Sequence, residues 1–60
     1  MEQKYWILYK RIENGQIYDT DDIISVHPFI FIRKMQEIHP NIPHLLLNWK
    51  EISNEEANLF

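Results

Sequence analysis

Eight aromatic residues and no cysteine in a chain of sixty are the strongest constraint on what this sequence can fold into. A large apolar load has to be covered, and no disulfide is available to hold a small fold around it. Unfolded, a chain of 7.4 kDa exposes roughly 10,700 Å², of which a domain this small buries about 60 %. With about 60 % of that buried surface apolar, burial stabilises by on the order of 95 kcal/mol. Ordering the chain costs about 90 kcal/mol at roughly 1.5 kcal/mol per residue. The terms nearly cancel, so a monomer is feasible and a small oligomer is more comfortable.

Six Lys or Arg against nine Asp or Glu give a net charge of −3, which disfavours unaided binding to a phosphate backbone. The longest uncharged apolar run, around Phe29 to Ile32, is far shorter than a bilayer requires. A soluble cytoplasmic protein is expected, in the host cytoplasm if the gene is a phage's, with no membrane contact and no cofactor. The absence of cysteine agrees with a reducing compartment. With 45 % hydrophobic residues and one glycine, the chain reads as one folded domain over residues 1–60.

The expected class is α+β: a small antiparallel sheet of two to three strands, one main helix and a short C-terminal helix. Residues 4–12 are rich in strand formers. Alternation puts Tyr5, Ile7 and Tyr9 on one face and Trp6, Leu8 and Ile12, with Lys10, on the other. Both faces are largely apolar, so both need covering. Asn14-Gly15 then predicts a two-residue hairpin turn, with Glu13 opposite Gln16, Ile12 opposite Ile17, Arg11 opposite Tyr18 and Lys10 opposite Asp19.

The second strand is placed at 16–26, with Asp19-Thr20-Asp21-Asp22 read as a loop or strand end before Ile23 to Val26 resume it. His27-Pro28 predicts a helix start and Pro40 a stop, giving a helix over 28–39 with Phe31, Met35 and Ile38 as its apolar stripe. A strand through Ile23 to Ile32 is the competing reading, and Pro28 argues against it. In the third strand, 44–52, alternation groups Leu45, Leu47 and Trp49 on one face and Leu46, Asn48, Lys50 and Ile52 on the other. Ser53 with Glu56 forms a capping box that predicts a helix over 54–60, whose Leu59-Phe60 should pack back on the sheet or across a subunit boundary.

Chemistry-bearing motifs are sparse. His27, His39 and His44 lack the spacing of a helical zinc motif, and a calcium loop counted from Asp19 meets isoleucine where it needs oxygen ligands and glycine. No cysteine nucleophile, nucleophile elbow or phosphate-cradling glycine loop is present, so an enzyme is not expected. Asp19, Asp21 and Asp22 with Glu55 and Glu56 form a candidate acidic patch. The aromatics are the more informative group, because Trp and Tyr combine large contact area with a polar edge. Candidate partner or dimer-interface residues are Tyr5, Tyr9, Phe29, Ile30, Trp49, Leu59 and Phe60.

The reading that follows is a non-catalytic interaction module that forms a homodimer, binds an unidentified second protein and acts as its inhibitor or regulator. Free-standing viral or bacterial chains of this size include inhibitors, antitoxin-like regulators and phage proteins that block host defence. Two alternatives remain at this stage. One is single-stranded nucleic-acid binding by the first strand, where Lys4, Lys10 and Arg11 interleave with Tyr5, Trp6 and Tyr9; the other is metal binding through the histidines.

Overall fold

The computed structural model describes residues 3–59. Element order is β1 (Lys4–Glu13), β2 (Gln16–Ile24), α1 (Pro28–Ile38), β3 (His44–Ile52) and α2 (Asn54–Ala57). The strands form one sheet in the order β2-β1-β3, with β1 in the centre and antiparallel to both neighbours. The α+β architecture expected from the sequence is present. Since β2 and β3 both oppose β1, they run parallel to each other, and α1 carries the chain across β1 between them.

The hairpin register agrees residue for residue with the expectation, from Glu13 opposite Gln16 to Lys10 opposite Asp19. Asn14 and Gly15 adopt φ of 53° and 75°, the positive-φ pair that matches a two-residue turn to the twist of the strands. Beyond Asp19 the sequence reading needs correction. β2 continues without a break through Thr20, Asp21 and Asp22 and stops at Ile24, so Ser25 and Val26 lie outside it. An edge strand needs partners on one side only and keeps its acidic side chains in water, so β1 holds this segment extended against its low strand propensity.

Helix α1 starts at Pro28 behind the N-cap His27, whose Nδ1 accepts from the Phe29 N–H at 3.2 Å. The buried or half-buried positions are Pro28, Phe31, Ile32, Met35 and Gln36. Ile38 does not belong to this stripe, being 58 % exposed; the contact line runs through i, i+3/i+4 and i+7/i+8 from Pro28, which rotates Ile38 out. The helix packs chiefly against β3.

A register shift between Leu8 and Tyr9 of β1 leaves one extra residue in β3 near Leu47. Trp49 therefore pairs with Ile7 and Leu46 with Tyr9, while Leu45 pairs with Lys10. The expected grouping of Leu45 with Trp49 is thus overturned: one inserted residue exchanges the faces of everything beyond it.

At the C-terminus the capping box forms as predicted. Ser53 Oγ accepts from Glu56 N–H at 3.0 Å, and Glu56 Oε1 accepts from Ser53 N–H at 3.1 Å. The helix it starts spans only Asn54–Ala57, not 54–60. Leu59 is 85 % exposed and does not pack back on the sheet; Phe60 lies outside the described residues. The short helix turns back against β1 beside Ile52, which is 3 % exposed.

The resulting core is thin. Among the described residues, the buried hydrophobic side chains are Ile7, Tyr9 and Ile52. The radius of gyration is 12.2 Å, against about 10.4 Å for a typical 60-residue domain. A slab of 37 × 19 × 14 Å leaves most of its apolar side chains partly in water.

Candidate interaction surfaces

The pairing registers assign each strand residue to a face. Tyr5, Ile7, Tyr9 and Arg11 of β1 share the side of α1 with Trp49 and Leu46 of β3 and with Tyr18, Thr20, Asp22 and Ile24 of β2. The opposite side carries Lys4, Trp6, Leu8, Lys10 and Ile12, with Ile17, Asp19, Asp21 and Ile23 on β2 and Leu45, Asn48, Lys50 and Ile52 on β3.

Under α1 the aromatic residues form two groups. At the helix start, His27 is central: its ring lies 5.6 Å from Tyr5, 5.2 Å from Trp49 and 5.0 Å from Phe29. Trp49 also meets Tyr5 and Phe29 edge-on, each at 6.0 Å. These rings fill the space between them, with the tilted and edge-to-face geometry that aromatic quadrupoles favour. Tyr5, Phe29 and Trp49, three of the candidate interface residues, are therefore brought together by His27, which the sequence offered as a helix start and a metal candidate. Phe29 remains 60 % exposed, beside Ile30 at 59 % and Val26 at 48 %, so the cluster ends in an apolar ridge at the surface.

The second group lies at the other end of the helix. Tyr9, 7 % exposed, meets Phe31 at 5.8 Å and stacks with His44 at 6.3 Å; His44 in turn stacks with His39 at 5.9 Å. Tyr9 makes its contacts inside the fold rather than at the surface. Tyr9, His39 and His44, together with Arg11, Glu13, Met35 and Ile42, line an open depression of about 230 Å³. Its cation is already engaged, because Arg11 reaches Glu13 at 3.5 Å and Thr20 Oγ1 at 3.3 Å and lies over the Tyr18 ring at 4.7 Å. His44 Nδ1 is 2.6 Å from the Ile42 carbonyl, which makes it the donor in the neutral ring and Nε2 the acceptor. The lining contains no Ser, Thr or Cys side chain.

His27 stands at the helix start while His39 and His44 stand past its end, so the three histidines do not converge. Among the described residues, no group of three or more His, Cys, Asp or Glu is arranged to hold a metal ion. The basic and aromatic residues of β1 are split between the two faces, Tyr5, Tyr9 and Arg11 toward α1 and Lys4, Trp6 and Lys10 away from it. The acidic candidates separate too. Asp19 and Asp21 share the face away from α1, Asp22 lies on the α1 side, and Glu55 and Glu56 occupy the first turn of α2.

The face away from α1 is a second partly uncovered apolar surface. Ile12 and Ile17 are directly opposed across the hairpin, and Leu45 stands beside Lys10 on the other flank of β1. They are 40 %, 62 % and 58 % exposed. Ile12 and Ile17 were legible from the β1 alternation and the hairpin register; Leu45 joins them because of the bulge. Among the described residues, no helix is long and apolar enough to cross a membrane. Comparison with protein-family models, curated proteins and solved structures returned no significant match.

Proposed function

We propose that this chain is a non-catalytic protein-interaction module that associates with a second copy through the uncovered face of its sheet and regulates a larger protein. The observation that carries the reading is the alignment of Ile12, Ile17 and Leu45 on one face, at 40 to 62 % exposure, in a molecule with so thin a core. A two-fold arrangement satisfies such a face with the fewest copies. The ridge of Val26, Phe29 and Ile30 lies on the α1 side and stays available for the regulated partner.

Area limits the strength of the association. The three side chains leave on the order of 300 Å² of apolar surface per copy, against about 800 Å² per partner in a stable complex. After the entropic cost of association, a dissociation constant in the micromolar range or weaker is expected. Sedimentation equilibrium between about 10 µM and 1 mM tests this. The expected result is a mass rising above 7.4 kDa and returning to it in Ile17→Lys/Leu45→Lys with an unchanged circular dichroism spectrum. A wild-type protein that stays monomeric throughout refutes the dimer.

A further inference from the structure

Each outer edge of the sheet has backbone amides occupied by side chains. A two-residue turn makes Glu13 and Gln16 a hydrogen-bonded pair, so the odd-numbered residues of β1 direct their backbone groups toward β2. Ile12 N–H donates to the Pro43 carbonyl at 3.0 Å, so the even-numbered residues face β3. By the same alternation, the outward amides of β2 are those paired with even β1 residues: Ile17, Asp19, Asp21 and Ile23. Those of β3 are paired with odd β1 residues: His44, Leu46, Trp49 and Glu51.

Three of these outward amides are occupied. Ile23 N–H donates to Asp22 Oδ1, Trp49 N–H to Asn48 Oδ1 and His44 N–H to Gln36 Oε1, each at 2.8 Å. An exposed Asx can bond the next amide on any strand, but here it happens on outward amides at both edges of one sheet. On β3 the third such amide is held by a residue from a different element. Asp and Asn are poor strand formers, so their position immediately before an outward amide calls for a reason. The remaining edge is blunted as well, by Asp19 and Asp21 on β2 and by the irregularity near Leu47 on β3.

We infer that Asp22, Asn48 and Gln36 are edge plugs that deny the sheet a fourth strand. A partner, a second copy included, then meets this protein through a face or the helix and not by strand addition. The inference stands whether or not the chain associates through Ile17 and Leu45.

The test is Asp22→Ala/Asn48→Ala made in the Ile17→Lys/Leu45→Lys background, which removes face association. Amide exchange should quicken about fivefold at Ile23 and Trp49, as expected for losing one net hydrogen bond, with the central amides of β1 unchanged. At millimolar concentration the protein lacking the Asp22 and Asn48 plugs should form oligomers with cross-edge backbone contacts visible by NMR, while the background protein stays monomeric. Unchanged exchange at both amides overturns the plugs; faster exchange in a protein that remains monomeric overturns their role against strand addition. Asp22→Asn keeps the acceptor and should behave as the parent does. If it assembles as readily as Asp22→Ala, the charge and not the hydrogen bond guards that edge, and the inference fails there.

Discussion

Replacing Gln36 by Ala should remove a large part of this protein's stability, although the residue is polar and only half-buried. Its Nε2 donates to the carbonyls of His39 at 3.0 Å and Ile42 at 3.1 Å, and its Oε1 accepts from His44 N–H at 2.8 Å. One side chain thus spans the whole α1-to-β3 connection and holds His44 where β3 begins. A net hydrogen bond contributes roughly 0.5–1.5 kcal/mol. The bond to His39 is exposed and counts near the lower end; the two part-buried ones count near 1 kcal/mol each, giving a loss of about 2 kcal/mol. Helix propensity returns only a few tenths of a kcal/mol to Ala. Against a total of about 3–9 kcal/mol for sixty residues, this lowers Tm by roughly 8–16 °C.

Thermal and urea unfolding followed by circular dichroism measures the loss. Gln36→Glu separates the bonds from the packing, because it keeps an acceptor for His44 N–H but turns a carboxylate toward two carbonyls. At neutral pH it should be at least as unstable as Gln36→Ala, with similar bulk. A Gln36→Ala protein within about 0.5 kcal/mol of wild type, or a Gln36→Glu protein equal to it, would refute the strap.

Other expectations are smaller or more local. Gly15→Ala meets no atom within 4 Å, so its cost is that of holding φ near +75° with a Cβ, about 1–2 kcal/mol in urea melts with the hairpin register retained. Ser53→Ala removes one half of the capping box and should cost about 1 kcal/mol, seen as faster amide exchange at Glu56 and Ala57. Trp49→Ala strips the contacts to Tyr5, His27 and Phe29 and should cost about 3 kcal/mol, with Trp6 fluorescence still reporting the transition; loss of less than 1 kcal/mol contradicts the packing described. Leu59→Ser should leave Tm within a degree or two, since Leu59 is 85 % exposed.

Local chemistry made much of the fold legible. Asn14-Gly15 announces its turn through positive φ, and a two-residue turn dictates the pairing from Glu13–Gln16 onward. His27-Pro28 and Pro40 bracket a helix because proline lacks an N–H, and Ser53 with Glu56 caps one within a single turn. These signals act between residues a few positions apart. Asp19 to Asp22 read as a loop or strand end because strand propensity is local and β1 is not. The candidate surfaces were less legible: Tyr5, Phe29 and Trp49 were named as interface residues, but His27, which joins them, was named only as a helix start and a metal candidate. Gln36 left no mark at all, as its partners lie across a turn.

The sequence by itself therefore determined the element types, the hairpin register and the fact that β1 is apolar on both faces. Only the tertiary structure decided which of those faces stays open. The irregularity near Leu47 puts Trp49 under the helix and Leu45 on the far side, and the short α2 covers the Ile52 end alone. Alternation along a strand says that two side chains differ in face; which face lies toward the helix depends on contacts between segments far apart in the chain, and a one-residue bulge reverses the answer.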